Sequence, residues 1–157
     1  MTFEITPYQK ENLPEVQLPD KEFLNILGEA GVRNLVDDHY NLLRKSNISH
    51  LFARDDDEFD KAKLRSSDFL IQIMGGHPYF NENRGKPMLV QRHAPFKIGP
   101  KARLTWLKCY LEVLENLKIE ENVLTSFWNY INALSMRMVN SEDDNLEYTF
   151  QFNPDKS

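Results

Sequence analysis

Four segments of this chain place apolar residues three and four apart, and nothing between them alternates as a half-buried strand does. That pattern confines the fold to helices packed on helices, an all-α architecture. The first segment reads Val32, Leu35, Val36, His39, Tyr40 and Leu43 and stops near Ser46-Asn47. The second follows the acidic starters Asp55 to Asp57, which suit the positive end of a helix dipole. Its inner face reads Phe59, Ala62, Ser66, Phe69, Leu70 and Ile73, and Gly75-Gly76 stops it. The third opens at Gly99-Pro100, with proline in the first turn, and reads Trp106, Cys109, Tyr110, Val113 and Leu117. The fourth reads Val123, Leu124, Phe127, Trp128, Ile131, Leu134 and Met138. A shorter helix capped by Asp20 is expected over Lys21 to Leu27, with a break at Gly28 to Gly31.

The ends read differently. Residues 1–19 are polar and hold Pro7, Pro14 and Pro19, so they form an arm, extended or partly disordered. Beyond Asn140 the chain is acidic, and the alternating run Leu146 to Phe152 is too short and too flanked by acids to be more than tail. The division is thus an arm over 1–19, a folded domain over 20–140 and a tail over 141–157. A length of 157 residues with 41% hydrophobic residues suffices for one core and excludes wholesale disorder. The net charge of −5 gives no general attraction for nucleic acid. The single cysteine, Cys109, excludes an internal disulfide and a Cys-rich zinc site, and reads as a small apolar filler. No apolar run reaches the roughly 18 residues of a membrane span, and the start lacks a signal-peptide pattern. The expectation is a soluble, cytoplasmic protein.

Two features do not fit a plain helical bundle. Ala62 and Ser66 are small residues where a core stripe would carry Leu or Ile. They serve either a close helix crossing or a ligand lying flat on that face. The stretch from Gly75 to Gly99 holds Pro78, Pro87 and Pro95 and few helix signals, and loops that long are often functional. Within it, His93 follows Arg92 on a short helical or irregular piece between Pro87 and Pro95. A lone histidine is either a packing or surface residue or a metal ligand, and flanking prolines hold a backbone still, as a ligand requires.

The ordered set Met74-Gly75-Gly76, Tyr79-Phe80, Asn83-Arg84-Gly85-Lys86-Pro87, Arg92-His93-Ala94-Pro95-Phe96-Lys97-Ile98-Gly99 and Trp106-Leu107-Lys108-Cys109 closely resembles the truncated haemoglobins, most of all their second group, the O type. The resemblance covers about residues 25–140. It implies a two-over-two helical sandwich around haem b (iron protoporphyrin IX), with His93 as the proximal iron ligand and a five-coordinate iron open on the other side. It implies Tyr40 and Trp106 as distal donors; an indole N–H donates only, so it favours ligand-borne negative charge. Ala62 falls at the distal position usually held by histidine in ordinary globins, and Ser66 lies one turn on, where the family usually has Leu or Gln. Further haem contacts implied are Phe52, Phe69, Tyr79, Phe80 and Ile98, with Arg65 and Arg92 facing the propionates, where arginine's fork of donors suits a carboxylate. His39 stands where the family usually has Phe. His39 and His50 are packing or surface histidines, or alternative iron ligands if the helices move, and His77 reads as a loop residue.

The function implied is reversible binding of O2, NO and CO, with oxygen transport among the roles of such proteins. Two alternatives remain beside it: NO dioxygenase or peroxidase-like chemistry, which needs an unidentified reductase or other external reductant, and a haem-based sensor. The chain has no Gly-rich dinucleotide fingerprint, so a reductase would be a separate partner. A monomer and a dimer are both compatible with the sequence.

Overall fold

The computed structural model describes residues 3–143. The alternating run Leu146 to Phe152 lies outside the described residues. Six α-helices follow in order: α1 Glu22–Arg44, α2 Asp56–Ile73, α3 Tyr79–Arg84, α4 Leu89–His93, α5 Pro100–Glu115 and α6 Glu121–Met138, with a 3-10 turn Ser49–Leu51 between α1 and α2. No strand occurs among the described residues. α1 packs on α2 and on α5, and α5 packs on α6, which also touches α1. The long helices therefore form two pairs, α1/α2 and α5/α6. α3 is carried on α2, and α4 lies against α6.

Local chemistry explains most boundaries. Asp20 accepts from the Glu22 N–H at 2.9 Å and so caps α1. Asp55 accepts from the Glu58 N–H at 3.0 Å, and Asp56, Asp57 and Glu58 fill the first turn of α2. Pro100 opens α5 where no helical N–H is needed.

Three expectations change. The separate helix Lys21 to Leu27 and the break Gly28 to Gly31 are instead one kink inside α1, confined to Gly28 (φ 70, ψ 171). That backbone conformation belongs almost wholly to glycine, so one residue suffices and the helix resumes at once. Second, the stretch Gly75 to Gly99 is not a long loop, because α3 and α4 lie within it. Third, α2 buries Phe59, Ser67, Asp68, Leu70 and Ile71, whereas Ala62, Ser66, Phe69 and Ile73 are only half-buried. The stripe read from spacing is thus buried at Phe59 and Leu70 and half-open at Ala62, Ser66, Phe69 and Ile73. The fully buried side is turned toward α1 and α3, where Asp68 bridges Arg33 at 3.0 Å and Arg84 at 2.9 Å. Ser67 Oγ also accepts from Arg33 at 2.7 Å.

The core is one large cluster around Phe23, Val36, Ile71, Leu107, Leu114, Phe127 and Ile131, with a smaller one of Leu43, Ile48, Ala102 and Cys109. The described part of the arm, residues 3–19, has no helix or strand, yet it is fastened to the second helix pair. Phe3 stacks on Trp128 with centroids 5.5 Å apart, and Trp128 Nε1 donates to the Glu4 carbonyl at 3.1 Å. Arg137 donates to the Pro14 carbonyl at 2.7 Å.

Candidate functional site

His93 ends α4, a single-turn helix that starts after Met88, whose backbone is left-handed (φ 42, ψ 53). Its Nδ1 lies 2.7 Å from the Leu89 carbonyl. A carbonyl only accepts, so Nδ1 carries the proton and Nε2 keeps its lone pair. This is the arrangement that orients a metal-binding imidazole and sets its tautomer. Arg92 donates through Nη2 to the carbonyls of Arg84 and Lys86, both at 2.9 Å, and its guanidinium lies 5.0 Å from the Phe80 ring centroid. The residue beside His93 thus staples α4 to the end of α3.

Within the α1/α2 pair, Tyr40 Oη and Ser66 Oγ meet at 2.6 Å. The Tyr40 ring has Phe52 edge-on at 5.5 Å and Phe59 tilted at 5.8 Å. Burial pushes the Tyr40 hydroxyl above its ordinary pKa, against smaller opposing effects of the Ser66 hydrogen bond and the Arg65 charge. Tyr40 therefore stays a neutral phenol and a donor. Trp106 is half-buried on α5 and stands edge-on to His39 at 5.2 Å and to Tyr110 at 4.9 Å. Tyr40 and Trp106 both touch both core clusters, so they stand where the two meet. Ala62 is half-buried one turn before Ser66 and brings no polar group.

His39 is fully buried. Its Nε2 donates to the Trp106 carbonyl at 3.0 Å, and its ring stacks on Tyr110 with centroids 3.4 Å apart. Its Nδ1 has no hydrogen-bond partner among the described residues. Burial, only partly opposed by the bond to Trp106, takes its pKa down to about 3. The folded value lies below the unfolded one, so this contribution to stability is complete above about pH 6.5 and is lost as pH falls toward 3. His39→Phe is expected to remove roughly 1.4 kcal/mol of acid destabilisation per pH unit in that window. Urea midpoints of the two proteins should converge or cross as pH is lowered from about 7 to about 4. Parallel curves would refute the assignment.

The remaining sequence-derived positions are spread more widely. Phe52 and Ile98 pack on the smaller core cluster beside Tyr40 and Trp106. Phe69 meets Phe80 edge-on at 5.9 Å, and Phe80 is buried. Tyr79 Oη donates to the Glu29 carboxylate at 3.0 and 3.2 Å, and Arg65 is exposed. His50 is exposed in the 3-10 turn. Burial, helped by the charge of Glu112, pushes the Cys109 thiol up to about 12, consistent with an inert filler. Sequence reasoning missed the Arg33–Asp68–Arg84 bridge. Its signal was a Ser67-Asp68 pair set directly before the apolar run Phe69-Leu70-Ile71.

Among the described residues no three His, Cys, Asp or Glu side chains are grouped to hold a free metal ion. A single oriented imidazole therefore suits a metal that brings its other ligands in a ring. Tyr40, Phe52, Phe69, Ile98 and Trp106 are half-buried apolar or aromatic side chains, and all but Phe69 pack on the smaller core cluster. This donor set fits haem. No helix among the described residues is long and apolar enough to cross a membrane.

The bacterial-like globin family matches residues 22–140. The group 2 truncated haemoglobin YjbI of Bacillus subtilis is 27% identical over 118 residues, spanning 74% of this chain and 87% of that protein. The crystal structure of phosphate-bound Hell's gate globin IV superposes with a TM-score of 0.81 at 33% identity, over 99% of this chain and 94% of that one. The truncated oxygen-avid haemoglobin from Bacillus subtilis superposes with a TM-score of 0.69 at 26% identity, over 74% of this chain and 98% of that one.

Proposed function

From the premise that this chain belongs to the bacterial-like globin family and binds ligands through haem, we propose that it holds haem b on His93 and binds O2 reversibly, with Tyr40 and Trp106 as the distal donors. The observation that carries the reading is the bond from His93 Nδ1 to the Leu89 carbonyl, which leaves Nε2 as the ligating atom. When bound there, haem would supply the iron to which O2, CO or NO attaches.

Every other contribution comes from this chain's side chains. When Ser66 donates to Tyr40 Oη, the phenolic proton is released to point into the distal space. Trp106 Nε1–H is a second donor from α5. Both are neutral and need no proton exchange with solvent, so they stabilise negative charge without giving up a proton. Ala62 leaves the approach open. The Bacillus subtilis neighbour is described as oxygen-avid, which agrees with strong O2 retention here. A peroxidase-like role would call for a distal acid–base pair. Ala62 supplies none, and His39, with a pKa of about 3, is a poor proton carrier at neutral pH. A reductase partner, NO oxidation and a cytoplasmic setting remain proposals of the same reading.

Absorbance spectra of the haem-loaded chain test it. A ferrous form with one axial imidazole, converting fully on CO addition, is the expected result. A six-coordinate ferrous spectrum would place a second side chain, His39 or His50, on the iron and overturn the open distal face.

A further inference from the structure

The chain that leaves α6 turns back onto the segment following His93. Asn140 Nδ2 donates to the Phe96 carbonyl at 2.7 Å and to the His93 carbonyl at 3.3 Å. Its Oδ1 accepts from the Ile98 N–H at 2.9 Å and from the Ser141 hydroxyl at 2.9 Å. These partners fix which end of the amide faces which group, since carbonyls accept and N–H groups donate. The backbone N–H groups of Asn140 and Ser141 both reach the Ile98 carbonyl, at 3.0 and 3.1 Å. Three residues on, Asp143 Oδ1 accepts from the Lys101 N–H at 2.9 Å, in the first turn of α5. The fit is tight, for a Cβ added at Gly99 would come within 2.7 Å of that carboxylate oxygen.

His93 is therefore held at two points, its ring by Leu89 and its backbone carbonyl by Asn140. Leu89 sets its tautomer from within α4. Asn140 holds the carbonyls at and after His93 from the end of α6. α4 has only five residues, so its own hydrogen bonds resist little rotation or translation.

We infer that Asn140 is a positioning residue for His93: its amide, anchored on Ile98, ties the His93 and Phe96 carbonyls to the end of α6 and sets how the imidazole meets the iron. This rests on the reading of His93 as the axial ligand. The groups around a metal ligand that orient it typically change metal affinity by about 10-fold or more when removed.

The test uses the haem-loaded full chain and two variants. Asn140→Ala removes both halves of the amide. Asn140→Asp keeps an oxygen for Ile98 but sets a carboxylate against the two carbonyls. The iron–histidine stretching band of the ferrous form, read by resonance Raman, should shift in both variants. Haem transfer to an excess of a competing apo-globin should be roughly 10-fold faster in both. Exchange of the Ile98 amide should speed up in Asn140→Ala and stay slow in Asn140→Asp, which separates the role toward His93 from simple capping of the loop. A wild-type band in either variant overturns the proposal. Failure of the underlying reading looks different: the same band would then persist in His93→Gly.

Discussion

O2 release from Trp106→Phe is expected to be roughly ten- to a hundredfold faster than from the parent chain. A hydrogen bond to a charged acceptor contributes about 1.5–3 kcal/mol, and each 1.4 kcal/mol is a factor of ten in rate. The substitution removes a donor and keeps an aromatic ring of related shape, so the packing against His39 and Tyr110 is largely retained. Tyr40→Phe should act in the same direction by a similar factor, and it also strands the Ser66 hydroxyl now 2.6 Å away. Ser66→Ala should act less, because it withdraws only the group that orients the phenol. CO carries little charge when bound, so its release should change far less in all three. Stopped-flow displacement of O2 and CO measures each case. Equal acceleration for both gases would point to a steric change rather than to lost donors.

The largest stability effect is expected at a residue outside the site. Arg103 on α5 is 3% exposed, and its hydrogen-bond partners among the described residues are all neutral. Nε donates to Ser135 Oγ at 2.9 Å, Nη1 to the Thr6 carbonyl at 2.7 Å, and Nη2 to the carbonyl and Oδ1 of Asn132 at 2.8 and 2.9 Å. Burial takes its pKa down to about 10, so it stays charged at neutral pH. The guanidinium fork thus ties α5 to α6 and to the arm from one side chain. Arg103→Ala is expected to cost about 3 kcal/mol, because it leaves buried acceptors unpaired as well as a void. Arg103→Lys should recover only part, since an ammonium cannot reproduce the fork. The same variants should expose the arm to proteolysis between residues 6 and 14. A melting curve unchanged in Arg103→Ala would contradict this account of how the arm is fixed.

Much of the frame was readable in the amino acids. Periodicity located α2, α5 and α6 within a residue or two, because their apolar stripes are long and their starts carry Asp55 or Pro100. α1 was readable as two pieces, since glycine signals a break without saying how few residues the break needs. Spacing alone could not reveal that α2 has two inward sides. The Ser67–Asp68 side is buried only because Arg33 and Arg84, one from α1 and one from α3, converge on the carboxylate. α3 was missed because a six-residue helix after Pro78 is too short to show a period. Periodicity marks Tyr40 and Trp106 only as apolar-face residues, and the ordered motif is what makes them candidates; His93 stands out by its place between Pro87 and Pro95, and the motif makes it the ligand. Asn140 carried no local signal at all; its importance comes from a backbone it meets more than forty residues away in the chain.

The central claim is that His93 is the residue through which this chain holds haem, and His93→Gly tests it most directly. The haem-loaded variant should lose its Soret absorbance on desalting, whereas the same variant loaded with haem and kept in free imidazole should show an imidazole-ligated ferrous spectrum, because the cavity left by the side chain accepts the same ring. A His93→Gly protein that keeps the parent spectrum without added imidazole would contradict the account.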